Sequence, residues 1–425
     1  MKVIISNVVS LNGGDFAILD AMIKVLRKAY GADLDIVVYD NNAEIAKNYY
    51  PGINYRELVY LKYIVKKSGR IGSRLAKIYN NLLLKRLLSS AKLLSVGSKV
   101  LAYSLLSKRE REDLIIYNSA DLVISTGGTI LVENYDLTPR FFDYDLTLAL
   151  KKPLVFFTQS LGPFNSDENI KNVKRIFNQS QLILLRDEAS FDNLKSIGVN
   201  MENAHVCADV VFAVADSEII ENAKHKSFRT PFRIIISVRD WPYFKFKGVE
   251  EGTVDYYSSI AALCEYVVQE LDGEVVFIST CQGIQEYWYD DSLVAEKIFS
   301  LLPEKVKTKV IVDRSFNKPE KLKEVMQSAD IAISTRMHSA IQALSVGIPV
   351  LPIAYEFKTK ELFKKLIDEE FILDIESLEP KSTVMIFEKF ISYLKLNRAD
   401  LFQKVEKERI SSLEPIRYLI GELER

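Results

Sequence analysis

Short apolar runs alternate with helical patterns along most of the chain. In the first half these runs are KVIISNVV, LDIVVYD, DLVIST, PLVFFTQ and LILL, and helix-like periodicity separates them. Buried strands that alternate with helices are typical of βαβ units around a parallel sheet. The pattern therefore predicts an α/β fold that begins with a doubly wound, Rossmann-like domain.

The alternation stops after ADVVFAV and then restarts. Residues 216–232 are polar and lack periodicity, which favours a linker. The runs RIIISV, EVVFIST, KVIVD, DIAIST and PVLPIA follow, and from Thr383 onwards only helical patterns remain. We expect an N-terminal domain over 1–215, a second doubly wound domain over 233–382 and C-terminal helices over 383–425. Two such domains would face each other across a cleft.

Length and composition agree with two globular domains. The 425 residues exceed one ordinary domain, and 48% hydrophobic with 27% charged residues is a globular balance. Cys207, Cys264 and Cys281 lack CxxC spacing, so we interpret them as reduced thiols that form no disulfide or metal framework. Apolar runs are shorter than the roughly 18 residues of a membrane span, and the N-terminus does not resemble a signal peptide. We expect a cytoplasmic protein.

Charge changes this picture in one place, a helical insertion over residues 56–112. It carries fourteen Lys or Arg against three Glu, a local excess of +11 in a chain with net charge −1. LVYLKYIVKK and LLLKRLLSSAKLL interleave leucine and lysine at helical spacing. Two interpretations account for this: solvated cationic faces over an ordinary core, or contact with an anionic membrane or a diphosphate-linked substrate. Nucleic acid is not an expected partner, because no recognition motif accompanies the charge.

Candidate chemistry lies at two strand ends in the second domain. The run DIAIST leads into Arg336 and His338, and PVLPIA leads into Tyr355, Glu356 and Lys358. Ligands bind at the carboxyl ends of strands in open α/β sheets. Arginine and lysine beside a histidine suit an anion with phosphate or carboxylate groups, with a proton donor near neutral pH. A lone histidine at such a place is, however, more often a structural hydrogen-bonding residue.

Glycine-rich turns follow strands in the first domain. Gly13 and Gly14 allow a tight turn with backbone close to a ligand, and Asp15 can cap the next helix. The segment matches neither the dinucleotide fingerprint nor the P-loop pattern. STGGTIL and TQSLGPF are further polar strand exits.

In their order along the chain these motifs resemble the polysaccharide pyruvyl transferase family, most closely its colanic-acid branch. The resemblance covers about residues 5 to 365 and rests on NGGDFAIL, STGGTIL, QSLGPF, LLRDEASFDNLKSIGV, VRDW, STCQGI with YWYDD, and STRMHSAIQAL with IAYEFK. It implies a GT-B-like fold with an acceptor-side N-terminal domain and a donor-binding C-terminal domain. The basic insertion matches no family motif.

The resemblance also implies a reaction, transfer of a pyruvate ketal from phosphoenolpyruvate to paired sugar hydroxyls. Phosphoenolpyruvate would be a co-substrate, and no metal or other cofactor is expected. The acceptor would be a sugar or lipid-linked oligosaccharide, which would bring the enzyme to the inner membrane face. By correspondence with the family, the site residues are His338 as catalytic acid, Arg186, Arg336, Lys358 and Arg239 for the donor, and Asp15 and Asn12 for the acceptor.

The chemistry of the donor agrees with these residue types. Phosphoenolpyruvate carries a carboxylate and a phosphate, and the guanidinium fork suits both. Structural alternatives are an ion pair of Arg186 with Asp187 or Asp209, and a solvated Lys358. Two other functions would fit the fold: a GT-B glycosyltransferase that uses a nucleotide sugar, and a noncatalytic scaffold for polysaccharide assembly.

Overall fold

The computed structural model describes residues 1–423, with all side chains except those of Arg70, Ile71, Glu422 and Leu423. The side chain of Arg70, one of the cations counted in the basic insertion, is therefore outside the described part of the chain. Glu424 and Arg425, at the end of the predicted C-terminal helices, are outside it entirely. The chain divides into two compact units. Unit 1 comprises Met1–Ser10, Ile18–Val210 and the residues from Leu413 onwards, and unit 2 comprises Leu11–Ala17 and Val211–Ser412.

Unit 1 is built on a parallel sheet. Its strands run in the order β3-β2-β1-β4-β6-β7-β8, and β5 pairs with β6. Val3, Ile4 and Ile5 in β1 are fully buried, as a strand covered on both faces requires. The strands are β1 (Lys2–Val8), β2 (Asp35–Asp40), β3 (Tyr55–Glu57), β4 (Leu122–Ser125), β5 (Gly128–Leu131), β6 (Leu154–Leu161), β7 (Leu182–Leu185) and β8 (Ala204–Val206).

Helices cover this sheet, and four of them form the basic insertion. The last of the four, α6, begins with a capping box in which Ser107 and Glu110 satisfy each other's backbone amides. The helices are α1 (Gly13–Tyr30), α2 (Ala43–Tyr49), α3 (Val59–Tyr63), α4 (Arg70–Ser95), α5 (Lys99–Ser104), α6 (Lys108–Ser119), α7 (Thr138–Ala149), α8 (Asp167–Phe177) and α9 (Glu188–Ser196). The helical character predicted for the insertion is confirmed.

Unit 2 contains a second parallel sheet, in the order β11-β10-β9-β12-β13-β14. The first strand of the unit, β9, lies beside β12, so the winding reverses between these two strands. The strands are β9 (Arg233–Ser237), β10 (Glu274–Phe277), β11 (Val310–Val312), β12 (Ile331–Ser334), β13 (Val350–Ala354) and β14 (Leu373–Asp374). In a doubly wound sheet this reversal is where ligands bind, outside the carboxyl ends of the strands.

Eight helices precede, separate and follow these strands along the described chain, and the end of the last one, from Leu413, is grouped with unit 1. Three short 3₁₀ turns accompany them at Val210–Val214, Glu369–Phe371 and Ile375–Ser377. The helices are α10 (Ser217–Ala223), α11 (Val249–Gln269), α12 (Asp291–Leu301), α13 (Glu304–Lys307), α14 (Pro319–Gln327), α15 (Met337–Ser345), α16 (Phe357–Lys364) and α17 (Pro380–Leu423).

The predicted α/β class and all ten predicted strands are confirmed. The short strands β3, β5, β8 and β14 were not predicted, because their sequences YRE, GTIL, AHV and LD contain no run of three apolar residues. The segment 216–232, interpreted from the sequence as a linker, contains helix α10 near its start. Helix α10 begins there because the Asp216 side chain accepts a hydrogen bond from the Glu218 amide.

Among the described residues, no helix combines the length and the apolar character needed to cross a bilayer.

Candidate active site

Four adjacent strands of unit 2 deliver polar side chains to one edge of its sheet. Strands β10, β9, β12 and β13 are neighbours and run parallel. Their carboxyl ends lead into Ser279, Arg239, Arg336 and Tyr355 respectively. We call this edge the unit 2 rim. It lies at the reversal of winding, where an open α/β sheet binds its ligand.

Arg336 sits on the rim directly before α15 and is held by a buried carboxylate. Its Nε and Nη2 donate to the two carboxylate oxygens of Asp291 at 2.8 and 2.6 Å, and Ser279 Oγ donates to the same carboxylate at 2.6 Å. Burial works to lower the pKa of Arg336, but Asp291 and the other nearby groups together raise it above its usual value. The guanidinium therefore stays charged, and Nη1 is the terminal nitrogen that Asp291 leaves available.

His338 lies in the first turn of α15, against the glycine turn that opens α1. A Cβ atom on Gly14 would lie 2.8 Å from His338 Nδ1, so the backbone of the turn approaches the imidazole closely. Both residues belong to unit 2, because Leu11–Ala17 is grouped with it. The structure thus brings the predicted catalytic histidine and the first glycine motif together.

The turn itself is fixed by two contacts. A Cβ atom on Gly13 would lie 1.8 Å from the carbonyl oxygen of Thr280, which no side chain could tolerate. Asn12 Oδ1 accepts from the amides of Gly14 and Asp15 at 3.0 and 3.3 Å. Asn12 is thus the cap of α1, and the expectation that Asp15 caps this helix was wrong. The side chain of Asp15 is placed in the first turn instead.

Cys281 and Tyr287 both interact with Asn12 in the turn. Cys281 Sγ donates to Asn12 Oδ1 at 3.4 Å. Burial raises the pKa of both the Cys281 thiol and the Tyr287 phenol, and the negative charge of Asp15 acts in the same direction. Both groups therefore stay protonated near neutral pH. Cys281 acts here as a hydrogen-bond donor, since nucleophilic attack requires the thiolate.

Arg239 lies at the end of β9 within an aromatic group. Its guanidinium stands over the ring of Tyr355 at 4.2 Å and near that of Trp241 at 5.4 Å, and the two rings contact each other at 4.7 Å. Arg239 Nε donates to the Asp240 carbonyl at 3.1 Å. No carboxylate in the described part of the chain pairs with Arg239. Its charge is therefore available to an anionic ligand.

Lys358 is less available than Arg239. Its Nζ lies 2.7 Å from Glu356 Oε2, and its side chain is mostly buried. The free, solvated lysine considered from the sequence is therefore not what the structure contains. A ligand that recruits Lys358 must compete with Glu356.

Arg186 lies in unit 1, at the end of β7. Its Nη1 donates to Asp209 at 2.7 Å, Nε donates to Ser160 at 2.6 Å and Nη2 donates to Thr129 at 2.6 Å. Both members of the ion pair are buried. The structure thus contains the Asp209 pair that the sequence left open. Asp187 instead caps α9 by accepting from the Ser190 amide.

Sequence reasoning missed the roles of Asp291 and Ser279. The motif YWYDD contains Asp291, but nothing in its spacing indicates that it pairs with Arg336 45 residues later. Within residues 1–423, no three His, Cys, Asp or Glu side chains are grouped so that they could hold a metal ion.

Comparison with known proteins identifies a family and a relative of known pathway. The profile of the polysaccharide pyruvyl transferase family matches residues 12–356. The amylovoran biosynthesis protein AmsJ of Erwinia amylovora is 28% identical over 297 residues, which cover 68% of this chain and 70% of that protein.

Solved structures share the fold at low sequence identity. HepE of Anabaena, in complex with UDP-glucose, has a TM-score of 0.55 and 13% identity, covering 100% of this chain and 99% of its own. A putative UDP-N-acetylglucosamine 2-epimerase of Listeria monocytogenes has a TM-score of 0.58 and 12% identity, covering 100% and 96%. The fold is therefore GT-B-like, as predicted.

Proposed function

Because the chain belongs to the polysaccharide pyruvyl transferase family, we propose that it transfers a pyruvate ketal from phosphoenolpyruvate to paired hydroxyls of a sugar in a surface polysaccharide precursor. The observation that carries this proposal is the unit 2 rim. There Arg239 has no carboxylate partner among the described residues, and His338 follows the neighbouring strand. An anion and a proton donor can thus meet at one edge.

In this proposal Arg239 is the main ligand of the donor's negative charge. Arg336 would donate a hydrogen bond to the donor from Nη1. Lys358 would bind the donor's negative charge if the donor displaces Glu356. Arg186 belongs to the proposed donor site by family correspondence. Its bonds to Asp209 and Thr129 fix the orientation of its guanidinium at the end of β7.

His338 is the proposed general acid. It gives a proton to the methylene carbon of phosphoenolpyruvate, which becomes the methyl group of the ketal and leaves an oxocarbenium-like centre at C2. A sugar hydroxyl attacks that centre and returns a proton to His338. The C–O bond to phosphate then breaks, a second hydroxyl of the sugar closes the ring, and the proton of that hydroxyl goes to the departing phosphate. The products are the pyruvate ketal and free phosphate.

The acceptor side of the proposal rests on the glycine turn. Asp15 would accept a hydrogen bond from a sugar hydroxyl, since its carboxylate lies near Cys281 and Tyr287 on the turn. Asn12 would act mainly by holding the turn, because its Oδ1 already accepts from Gly14 and Asp15. Phosphoenolpyruvate is an intracellular metabolite, so we place the reaction in the cytoplasm.

The test is incubation of the protein with phosphoenolpyruvate and candidate lipid-linked oligosaccharides. Free phosphate should be released only when a suitable acceptor is present, and mass spectrometry should find the ketal on the acceptor. His338→Gln is the matched control. Acceptor consumption with UDP- or GDP-sugars, and none with phosphoenolpyruvate, would instead identify a glycosyltransferase.

A further inference from the structure

Helix α4 has two apolar faces, and only one of them is buried. The first face packs into the core of unit 1 through Leu83, Leu87, Ala91 and Leu94. The second consists of Leu75, Ile78, Tyr79 and Leu82, which are 60, 52, 53 and 65% exposed. Their spacing of three and four residues places them in one stripe. At about 100° per residue, this stripe lies about 120° around the helix from the buried face.

A row of cations runs beside the exposed stripe. Arg74, Lys85 and Lys92 are all exposed. They fall within about 20° of one another and about 80° from the stripe. No carboxylate in the described part of the chain pairs with any of the three. By contrast, Lys62 and Arg86 in the same insertion are bound to Asp113 and Glu110. The row therefore presents uncompensated positive charge next to apolar surface.

A depression of about 400 Å³ lies along the same helix, on the other side of the row. Lys66, Lys67 and Lys77 line it, and no acidic residue does. Asn80 fixes the loop that carries two of these lysines, since its Nδ2 donates to the Val65 carbonyl at 2.9 Å and its Oδ1 accepts from the Val65 amide at 3.0 Å. Three ammonium groups around a fixed concavity suit a phosphate group.

A further group of exposed apolar residues follows α4 in the sequence. Val96, Val100 and Leu101 are 66, 87 and 55% exposed, and Lys99 lies among them. Single exposed apolar residues are common on protein surfaces, but a group of them indicates an interaction site.

We propose that this surface docks unit 1 on a bilayer that contains anionic phospholipid. The docking surface consists of the apolar stripe, the cation row, the lysine-lined depression and the apolar group after α4. Leucine and tyrosine would enter the boundary between head groups and acyl chains, and the row would meet lipid phosphates. The depression would hold one head group.

The charge pattern favours a bilayer over the other partners of such a surface. A second copy of the chain, paired symmetrically, would bring the same cation row against itself. Nucleic acid would satisfy the cations but would leave the apolar stripe without a partner. Only an anionic surface with an apolar interior matches both parts.

The experiment is sedimentation of the full chain with vesicles, which requires neither donor nor acceptor and so stands apart from the proposed function. Vesicles of phosphatidylcholine with phosphatidylglycerol should pull the protein down at low salt, and pure phosphatidylcholine vesicles should not. Salt well above about 0.1 M should release most of it, since screening shortens to less than about 10 Å.

Two sets of variants separate charge from apolar contact. Arg74→Gln, Lys85→Gln and Lys92→Gln together should weaken binding by about 100-fold, at roughly 1 kcal/mol for each cation near an anionic membrane. Leu75→Ser with Leu82→Ser should also weaken it, because both side chains leave water on docking. Arg86 is kept, since Glu110 beneath it is buried. Melting curves check that each variant is folded.

Matched controls use exposed residues elsewhere. Lys297→Gln, Lys305→Gln and Lys395→Gln remove the same charge, and Leu396→Ser removes a leucine that is 85% exposed. These controls should bind vesicles as the unchanged protein does. Equal binding to neutral and anionic vesicles, equal losses in test and control variants, or a concentration-dependent dimer that Leu75→Ser with Leu82→Ser abolishes without any vesicle binding would overturn the proposal.

Discussion

Replacing Arg239 by alanine should weaken phosphoenolpyruvate binding by about 10- to 100-fold. Arg239 has no carboxylate partner among the described residues, so its charge can be given wholly to the donor. A hydrogen bond to a charged group contributes about 1.5–3 kcal/mol, and each 1.4 kcal/mol is a tenfold change in affinity. The fold should lose little, because Arg239 is only half-buried and a contact of this kind with the Tyr355 ring contributes about 1 kcal/mol.

The same change at Arg336 should behave differently. Arg336→Ala leaves the Asp291 carboxylate, whose side chain is 3% exposed, without its partner. Breaking a buried ion pair in this way costs about 3–5 kcal/mol of stability. Loss of donor binding in that variant would therefore report a damaged fold, whereas the loss in Arg239→Ala would report the donor contact itself.

Titration calorimetry with phosphoenolpyruvate, beside thermal unfolding of each variant, distinguishes these cases. Arg239→Lys is the matched control, since it keeps the charge but lacks the planar fork. Its affinity should lie between those of the unchanged protein and Arg239→Ala. The assignment of Arg239 is refuted if Arg239→Ala is folded and binds the donor with unchanged affinity, while Lys358→Ala binds the donor more weakly.

Three further outcomes are expected. His338→Gln should lower turnover by roughly 10²–10⁴-fold while the donor still binds; near-normal turnover would exclude His338 as the acid. Gly13→Ala should lower both activity and melting temperature, because its Cβ would lie 1.8 Å from the Thr280 carbonyl oxygen, and a variant with neither change would contradict the close approach. Burial raises the pKa of Asp143 to about 6 from the usual 3.8. The folded state therefore holds this proton more tightly, and stability should fall by about 3 kcal/mol as pH rises from about 4 to 6. Asp143→Asn should flatten that part of the profile in urea unfolding, and a flat profile in the unchanged protein would refute the prediction.

The sheets could be predicted because their strands are buried on both faces. Continuous Val- and Ile-rich runs such as RIIIS then stand out from the helices around them. Strands β3, β8 and β14 contain no such run, because their sequences YRE, AHV and LD are polar or interrupted by polar residues. The family resemblance drawn from the motifs is confirmed by the match over residues 12–356.

The cations of the site could be placed at strand ends from the sequence, but their partners could not. Arg239 and Arg336 look alike as residues that follow buried strands. Only side-chain packing shows that Asp291 holds Arg336 while Arg239 stacks on Tyr355. The basic insertion could likewise be predicted only in part from the sequence. Charge and leucine spacing are visible in the sequence, but they do not indicate which of the two apolar faces of α4 is covered.

The pair of Asp291 and Arg336 also constrains how related sequences can diverge. These two positions, 45 residues apart, are expected to be substituted together. Losing either partner alone would leave a buried charge without an ion-pair partner. Replacing both by neutral residues of similar volume is often tolerated by a protein interior. A descendant that lost both together could thus keep this fold after losing Arg336 from the proposed donor site. We expect drift from catalyst to binding protein in this lineage to pass through paired, rather than single, substitutions at these positions.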